Sequence, residues 1–545
     1  MQGQMMDDYP LTLGPLLHRA ETLFPNVRIS SRAPDRSVRS TDYATIVRRA
    51  RSLATAILEQ GLRPGDRVAT LMWNHSVHLE AYFGVPASGA VLHTLNLRLP
   101  PEQLAYVINH AHDRWILVDD VLLPVLQKVR DQIHADRILV VPFSGQKPPA
   151  GQTDYEEFLA GHPPRQDLPT LGERDAAGLC YTSGTTGRLK GVLYSHRALV
   201  LHSMAVSFAL GLTQGDSVLP VVPMFHANGW GFPYAFSMLG ARQVLPGPHV
   251  DPESLLDLLE REQVSFAAGV PSLWFGLVET LEKNPGRWKL SPQLRMVIGG
   301  SAAPEALIRR FDRLGIRVVQ GYGMTETTPV LTLSTPKAAM RDWAPERLYP
   351  LLARAGLPLP FVDLRIRGER GELPWDGKSV GELEVRGPWV ARSYFDEPEQ
   401  SGKWTEDGWL RTGDVATINP EGYVEIVDRL KDLVKSGGEW ISSVALESAL
   451  VAHPAVREAA VIARTDPRWG ERPVAFVVFR DGAHASDEEL RQLLLERYPK
   501  WWLPDEFRVV PTLPKTSTGK VSKLSLREEL SKGPTPERST AGPGR

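Results

Sequence analysis

The sequence is poor in cysteine, with Cys180 as the single example among 545 residues. A lone cysteine cannot form an internal disulfide and cannot supply a cysteine-based zinc site, so the chain suits a reducing compartment and we expect the cytoplasm. The sequence also lacks an apolar run near the roughly 20 residues that a membrane-spanning helix needs, and its opening residues lack the pattern of a secretory signal. These absences leave peripheral contact with a membrane open.

An excess of positive charge is missing as well. Lys and Arg total 62 and Asp and Glu total 64, which gives a formal net charge of -2. Because the phosphate backbone of nucleic acids is bound by basic surfaces, we do not expect nucleic acid as a partner. Hydrophobic residues at 42% and charged residues at 23% are typical of a globular protein with enough core for an enzyme. The polar, turn-forming end, from about residue 532, is predicted to be a disordered tail.

Strand-like and helix-like stretches alternate through most of the first 330 residues, which predicts an α/β fold with mostly parallel sheets flanked by helices. The clearest unit has LRMVIGG as a buried strand, PEALIRRFDRLG as a helix and IRVVQGYG as a second strand. A right-handed crossover makes these strands parallel, so the segments GGSAAP at 299–304 and QGYGMTET at 320–327 follow them at one edge of the sheet. Ligands of open α/β sheets bind at that carboxyl edge.

The pattern changes in the last third of the chain. Short alternating strands with turn signals, such as GELEVRGPWVARSYF, predict a small β-rich subdomain over about 355–428, at the end of a large N-terminal domain spanning 1–428. The order then becomes helix, strand, strand, helix, and the last of these helices opens with a capping box from Ser486 to Glu489. We therefore expect a separate, smaller α+β C-terminal domain over 433–545.

The loop YTSGTTGRLKG, from Tyr181 to Gly191, combines small residues, hydroxyls and one lysine between two strand-like stretches. A P-loop needs Gly-x-x-x-x-Gly-Lys-Ser/Thr leading directly into a helix, so this loop is not one. Backbone N–H groups, hydroxyls and a lysine can together hold a polyphosphate, although these residue types also fit a polar hairpin turn. The candidate phosphate-binding residues are Ser183, Gly184, Thr185, Thr186, Gly187 and Lys190.

Six further motifs follow this loop in order: PMFH at 223–226, GGSAAP, QGYGMTET, WLRTGD at 409–414, DRLKDLVKSGGEWIS at 428–442 and PKTSTGK at 514–520. On these motifs the chain resembles the adenylate-forming acyl-CoA synthetases over about residues 43–520. The stretches QGQMMDDYPLTL and VPMFHANGWGFPYAF are most similar to the medium- and long-chain fatty-acyl branch. Leu189 stands where the family usually has proline, a departure that alters turn stiffness more than chemistry.

The resemblance implies a ligase that uses ATP, CoA and Mg²⁺ in two steps. A fatty-acid carboxylate attacks the α-phosphorus of ATP to give acyl-AMP and pyrophosphate, and the CoA thiol then displaces AMP. The carboxylate is already ionised at pH 7, so the first step needs no general base. The expected task of the protein is to align the two anions and to neutralise phosphate charge with cations and backbone donors.

The resemblance also implies roles for single residues. Thr182 and Glu326 correspond to the Mg²⁺ ligands, and Lys520 corresponds to the catalytic lysine that bridges the substrate carboxylate and the α-phosphate. Asp414 corresponds to the aspartate that accepts the ribose hydroxyls, and Thr325 to a contact of the α-phosphate. The other nucleotide contacts that it implies are Gly300, Ser301, Ala302, Gln320, Gly321, Tyr322, Arg429, Lys431 and Lys435.

Two further groups of residues are expected to serve the acid and CoA. The resemblance places Asp432 at the hinge of a linker, 429–432, about which a mobile C-terminal domain rotates between the half-reactions. Trp230 resembles the gating tryptophan of the fatty-acyl branch. The acyl-pocket candidates are His226, Ala227 and Trp230, and the candidates that line the CoA tunnel are Gly437, Gly438 and Trp440.

Three alternatives accompany this interpretation. The nearest is an acid:CoA ligase for an aryl or short branched carboxylic acid, which differs only in the contents of the pocket. A peptide-synthetase adenylation domain is less favoured, because no carrier domain follows Lys520 in this sequence. A nucleotide-binding protein without catalysis is disfavoured because every expected catalytic position is filled. By resemblance to similar enzymes we expect a homodimer.

Overall fold

The computed structural model describes residue 6 and residues 8–182, 188–340, 342–397, 402–437, 439–515 and 521–531. The predicted tail from about residue 532 lies outside these residues. So do five of the candidate phosphate-binding residues, at 183–187, and also Gly438 and Lys520.

Helices are distributed along the whole described chain. In chain order they are α1 Gly14–Leu23, α2 Tyr43–Glu59, α3 Ser76–Ala87, α4 Pro101–His110, α5 Leu123–Gln127, α6 Tyr155–Ala160, α7 His196–Leu210, α8 Phe232–Leu239, α9 Pro252–Arg261, α10 Pro271–Lys283, α11 Glu305–Arg313, α12 Pro345–Leu352, α13 Ser443–Val451, α14 Asp487–Leu495 and α15 Lys523–Ser531.

Strands alternate with these helices in the first two thirds of the chain and dominate thereafter. They are β1 Arg28–Arg32, β2 Val38–Asp42, β3 Arg67–Leu71, β4 Val91–Thr94, β5 Asp113–Asp119, β6 Arg137–Val141, β7 Thr153–Asp154, β8 Ala176–Tyr181, β9 Gly191–Ser195, β10 Ser217–Pro220, β11 Arg242–Leu245, β12 Phe266–Gly269, β13 Arg295–Ile298, β14 Arg317–Gly323, β15 Val330–Leu333, β16 Leu357–Pro358, β17 Asp363–Gly368, β18 Gly371–Glu372, β19 Gly381–Arg386, β20 Leu410–Ile418, β21 Val424–Arg429, β22 Val434–Ser436, β23 Glu439–Ile441, β24 Val456–Asp466, β25 Gly470–Phe479 and β26 Glu506–Val509.

Two large, mostly parallel sheets carry the first two thirds of the chain, so the predicted α/β class is confirmed. One sheet has the strand order β16-β15-β14-β13-β12-β10-β11-β1-β2, and the other has the order β7-β6-β5-β3-β4-β8-β9. Strands β13 and β14 are parallel and are joined by α11, which confirms the predicted βαβ unit. The segments after these two strands therefore meet at one sheet edge, as the crossover rule requires.

A buried asparagine joins the two large sheets. The Asn74 amide nitrogen donates to the carbonyl oxygens of Pro220 at 3.1 Å and of Val222 at 2.8 Å. Its side-chain oxygen accepts from the Met224 amide at 2.8 Å. Because a buried amide must satisfy its hydrogen bonds, these contacts fix the chain just before the PMFH motif reaches the site.

The last third of the described chain forms two further sheets. Strands β18-β17-β19-β20-β21 make an antiparallel sheet, and β23-β22-β25-β24 make another in which β26 pairs with β25. Helices α13 and α14 belong with the latter sheet, in the predicted order helix, strand, strand, helix. The predicted capping box is present, since the Ser486 hydroxyl accepts from the Glu489 amide at 3.3 Å and the Glu489 carboxylate accepts from the Ser486 amide at 2.7 Å. In the described part of the chain, each helix is too short or too polar to cross a bilayer.

Candidate active site

A cavity of about 500 Å³ lies at the carboxyl edge of β13 and β14. Its walls also come from the end of β8, from α7, from β20 and from the segment after β21. Polar and apolar residues both line the cavity, and we call these two parts of the lining the polar half and the apolar half. The apolar half is lined by Val206, Leu210, Phe232, Val297, Val330 and Leu333. This is the place at which open α/β sheets bind ligands.

Glu326 occupies the polar half and is only 5% exposed. The Tyr394 hydroxyl donates to its Oε1 atom at 2.6 Å, a distance typical of a hydrogen bond to an ionised carboxylate. Burial, together with the nearby Glu326 charge, raises the pKa of Tyr394, so the phenol stays a proton donor. The Glu326 backbone carbonyl accepts from the Ala391 amide at 2.8 Å, which anchors the segment from a second direction.

Thr182 and Lys190 close the base of the candidate phosphate loop. The Thr182 amide donates to the Lys190 carbonyl at 2.9 Å, and the Lys190 amide donates to the Thr182 hydroxyl at 3.2 Å. Both side chains line the cavity. The Lys190 ammonium lies 2.8 Å from the Glu397 carboxylate and 4.5 Å from the centre of the Tyr394 ring. The strands on both sides of the loop, β8 and β9, are antiparallel, so the predicted strand-loop-strand arrangement is confirmed.

Asp414 lies across the cavity region in β20 and is 4% exposed. Its carboxylate accepts from the Tyr322 hydroxyl at 2.6 Å and lies 3.2 Å from Nε of Arg429. Burial and the Asp414 charge raise the pKa of Tyr322 well above its ordinary value, so this phenol too remains protonated. Three residues that are distant in the sequence thus form one polar cluster, because β20 and β21 pair Asp414 with Arg429.

The predicted adenine strip is held together by Gln320. The Gln320 side-chain oxygen accepts from the Ala303 amide at 2.8 Å, and its nitrogen donates to the Gly321 carbonyl at 3.2 Å. These bonds tie the segment after β13 to β14. Of the strip that the sequence predicts, Gly300, Gly321, Tyr322 and Thr325 line the cavity, whereas Ser301, Ala302 and Gln320 do not.

Trp230 lies in a left-handed turn at the wall of the cavity. Five successive residues have positive φ: Ala227 at 44°, Asn228 at 51°, Gly229 at 59°, Trp230 at 58° and Gly231 at 73°. The indole packs directly on Gly299, where a Cβ atom would lie 2.8 Å from Cη2 of Trp230. Of the predicted acyl-pocket residues, His226 and Trp230 line the cavity and Ala227 does not.

The linker after β21 reaches the cavity only in part. Arg429, Leu430 and Lys431 line it, whereas Lys435, Gly437 and Trp440 lie elsewhere in this conformation. The Lys435 ammonium lies 5.1 Å from a ring centre of Trp440, and the Gly437 amide donates to the Trp469 carbonyl at 2.8 Å. The predicted nucleotide role of Lys435 and the CoA roles of Gly437 and Trp440 stay predictions.

Tyr394 and Lys403 are polar residues of the cavity that lie outside every recognised motif and were not predicted from the sequence. Tyr394 holds Glu326, and Lys403 donates to the Thr412 carbonyl at 2.9 Å. Burial lowers the pKa of Lys403, while the nearby Glu326 and Asp414 charges act in the opposite direction. Both residues lie in irregular segments without a periodic pattern. The clue that the sequence offers is their position between two recognised motifs.

The donor set suits a magnesium ion that arrives with a polyphosphate. Among the described residues, no cluster of three or more His, Cys, Asp or Glu side chains could hold a metal ion. Thr182 and Glu326 nevertheless contribute a hydroxyl and a carboxylate to the same cavity. Mg²⁺ is commonly bound by one or two protein oxygens together with substrate phosphates and water, so these two residues fit it.

Known proteins resemble this chain over almost its full length. It is 48% identical over 541 residues to a long-chain-fatty-acid–CoA ligase of Thermus thermophilus, covering 97% of this chain and 98% of that protein. It is 43% identical to a 3-methylmercaptopropionyl-CoA ligase of Ruegeria pomeroyi, covering 97% and 99%. It is 42% identical to a medium-chain-fatty-acid–CoA ligase of Ectopseudomonas oleovorans, covering 97% of each.

Solved structures share the fold. The ATP-bound MatB of Rhodopseudomonas palustris superimposes with a TM-score of 0.81 at 27% identity, covering 95% of this chain and 99% of that one. An anthranilate CoA ligase, AuaEII, in complex with anthranoyl-AMP superimposes with a TM-score of 0.85 at 24% identity, covering 97% and 100%. The AMP-binding enzyme family matches residues 24–395, and its C-terminal domain matches residues 445–520. The chain therefore belongs to the family of AMP-binding enzymes.

Proposed function

We propose that this protein is an ATP-dependent fatty acid:CoA ligase that acts on medium- or long-chain fatty acids through an acyl-adenylate. The observation that carries the proposal is one cavity whose lining combines a polar half, with Glu326, Tyr322 and Lys190, and an apolar half formed by α7, β13 and β15. Such a cavity suits a nucleotide and a hydrocarbon chain whose reacting groups meet between them. The curated relatives named as long- and medium-chain fatty-acid ligases support this substrate class.

In the first half-reaction the fatty-acid carboxylate oxygen forms a bond to the α-phosphorus of ATP, and the bond to pyrophosphate breaks. In the second, the CoA sulfur bonds to the acyl carbon, AMP leaves with the electron pair of the acyl–oxygen bond, and the thiol proton is released. When bound, Mg²⁺ would neutralise phosphate charge, and Glu326 and Thr182 would hold it. The protein's own part is to align the reactants and to stabilise charge with prearranged donors.

The nucleotide subsite follows from the polar cluster. We assign the ribose hydroxyls to Asp414, because an ionised carboxylate offers two acceptor oxygens. Tyr322 and Arg429 hold that carboxylate at 2.6 Å and 3.2 Å, so its position is set before the ribose arrives. Lys190 is placed to meet the β- and γ-phosphates, and Thr325 to meet the α-phosphate, because both line the same polar half.

Trp230 is the proposed gate between the two halves. Its side chain is 5% exposed and packs on Gly299, the residue just before the proposed adenine strip. Gly229 and Gly231 flank it, and glycine readily takes the positive φ angles that this turn requires. A swing of the indole would open the apolar half to a carboxylate held near Glu326.

The linker is the proposed hinge, with a large N-terminal part before Asp432 and a smaller part after it. Contacts cross this point in the present conformation: the Asp428 carboxylate accepts from the Ser443 amide and hydroxyl, both at 2.6 Å, and the Ser442 hydroxyl donates to the Val427 carbonyl at 2.6 Å. A rotation about Asp432 separates these partners. The hinge itself is held by Arg527, which lies 2.5 Å from the Asp432 carboxylate.

A panel of carboxylic acids tests the function. Purified protein is incubated with ATP, Mg²⁺, CoA and fatty acids of graded length, pyrophosphate release is recorded, and the thioester is identified by mass. We expect acyl-CoA from medium or long fatty acids and no thioester without CoA. Pyrophosphate from none of the acids would overturn the proposal.

A second candidate is a ligase for a short or aryl acid. It is favoured by the 43% identity to a ligase named for 3-methylmercaptopropionate. The same panel separates the two, because selective use of short branched acids or benzoates would replace the fatty-acid assignment.

We further propose that the protein is a cytoplasmic homodimer. The single cysteine, Cys180, is consistent with a reducing compartment, and the dimer is expected from similar enzymes. Light scattering coupled to gel filtration measures the mass, and a monomer at micromolar concentration would contradict the dimer.

A further inference from the structure

The apolar half of the cavity follows one face of two neighbouring strands. Val297 and Gly299 are two residues apart, so they lie on the same face of the sheet, and both line the cavity. Val297 pairs in register with Val319 on β14. Across from this face, Val206 and Leu210 lie one turn apart on α7 and also line the cavity. The apolar half of the cavity is thus a channel between the sheet and α7.

A second, smaller cavity of about 20 Å³ lies directly behind the end of this channel. Leu210 and Val297 line both cavities, so their side chains form the wall between them. The far walls include Arg295 and Arg317, which pair in register at the beginning of β13 and β14. Arg317 is exposed, so the small cavity is a crevice that reaches the protein surface at the amino ends of these strands.

We propose that Leu210 is the stop that sets the length of the acyl chain, with Val297 as its partner in the wall. The crevice behind Leu210 is the space that a longer chain would enter. This inference rests on the proposed function, because it assigns the apolar half of the cavity to the hydrocarbon part of the acid. Leu210, on α7, is thus the main determinant of the chain-length preference.

The spacing of residues along β13 gives the size of the expected change in chain length. From Gly299 to Val297 is two residues, and from Val297 to Arg295 is two more, each step spanning about 6.6 Å. With bonds of about 1.5 Å and angles near 111°, an extended hydrocarbon advances about 1.25 Å per carbon. One step therefore corresponds to roughly five carbons. Removing the stop should lengthen the best substrate by up to this amount.

Leu210 is a suitable stop because of where it lies in the helix. It is the last residue of α7, and Gly211 follows in the left-handed conformation with φ of 59°. The side chain is buried, and together with Ala209 it lines the crevice. A substitution here changes the end of the channel without entering the polar half, where Glu326 and Lys190 lie.

The experiment compares kcat/KM for saturated fatty acids from six to eighteen carbons in three variants and the wild type. Leu210→Ala should move the optimum to acids longer by two to about five carbons. It should raise kcat/KM for the longest acids about tenfold, as the burial of about two further methylene groups would. Leu210→Phe should move the optimum to shorter acids. Leu212→Ala is the matched control, because Leu212 is buried in the same hydrophobic cluster and lines neither cavity.

The outcomes separate the inference from the proposed function. Opposite shifts of the chain-length optimum in Leu210→Ala and Leu210→Phe, with an unchanged profile in Leu212→Ala, support the role of Leu210 as the stop. Unchanged profiles for both Leu210 variants, in a wild type that forms acyl-CoA, overturn it while leaving the ligase assignment intact. A wild type inactive with every acid overturns the proposed function itself. Thermal melting identifies a variant that does not fold, and in that case Leu210→Val, which shortens the side chain by one carbon, supplies the same comparison.

Discussion

Removing the hydroxyl of Tyr394 should weaken the binding of Mg²⁺ without dismantling the site. The hydroxyl donates to Glu326 at 2.6 Å, whereas the ring packs edge-on against Trp404 with centres 5.2 Å apart and lies 4.5 Å from the Lys190 ammonium. Tyr394→Phe keeps both ring contacts and deletes only the proton donor. The Glu326 carboxylate would then lose the bond that fixes its orientation.

Two estimates give the size of this effect. A hydrogen bond to a charged group contributes about 1.5–3 kcal/mol. Partners that orient a metal ligand typically change metal affinity by about 10- to 100-fold, equivalent to about 1.4–2.8 kcal/mol. Because the two ranges agree, we expect Tyr394→Phe to raise the Mg²⁺ concentration for half-maximal pyrophosphate release by about 10- to 100-fold. The KM for the fatty acid should change little, since the acyl half of the cavity is untouched.

The assay measures initial rates of pyrophosphate release against free Mg²⁺ at saturating ATP and acid. Tyr155→Phe is the matched control, because its hydroxyl also donates to a buried glutamate, Glu80, at 3.3 Å, but lies away from the cavity. It should lower thermal stability and leave the Mg²⁺ dependence unchanged. An unchanged Mg²⁺ dependence in Tyr394→Phe, alongside a raised one in Glu326→Gln, would refute the positioning role of Tyr394.

Three other predictions test the lysine, the hinge and the fold. Lys520→Ala should slow adenylation by about two to three orders of magnitude while preformed acyl-AMP is still converted to thioester, and an equal fall in both half-reactions would contradict its role. Asp428→Ala removes the contacts with Ser443 across the linker. It should change the ratio of the two half-reaction rates about tenfold, which is equivalent to about 1.4 kcal/mol. A constant ratio would count against the hinge. Burial lowers the pKa of His202 to about 3 in the folded protein. Below about pH 6.5 this histidine is therefore protonated in the unfolded chain but stays neutral in the folded protein, so the free energy of unfolding falls as the pH drops. His202→Gln should therefore give a shallower loss of Tm between pH 7 and pH 4.5, and parallel curves would exclude this histidine as a source of acid lability.

The sequence was most informative where a local pattern carried a structural constraint. The unit β13-α11-β14 could be predicted because its strands are short apolar runs and its helix has an apolar face, so each element is defined within about ten residues. The capping box of α14 is confirmed for the same reason. The sheet edge at which the motifs converge then followed from the handedness of the crossover.

Site residues could be predicted only where they belong to a recognised motif. Glu326, Asp414 and Tyr322 belong to recognised motifs. Glu326 and Tyr322 line one cavity, and Asp414 accepts a hydrogen bond from Tyr322, although their roles stay predictions. Lys403 and Tyr394 reach the same cavity from irregular segments, and nothing in their local sequence distinguishes them from surface residues. Leu210 looks like any buried leucine at the end of a helix, since its function depends on which strands it faces.

The left-handed turn around Trp230 limits which side chains can evolve at position 230, the proposed gate of the apolar half. Three non-glycine residues there, Ala227, Asn228 and Trp230, hold positive φ angles, and each L-residue in this conformation costs about 1–2 kcal/mol. Valine, isoleucine and threonine fit it worst, because their branched Cβ atoms collide with the backbone. Main-chain geometry thus limits which substitutions at position 230 could widen the range of substrates. Glycine and asparagine fit the positive φ angle best, so they are the substitutions most compatible with a wider entrance.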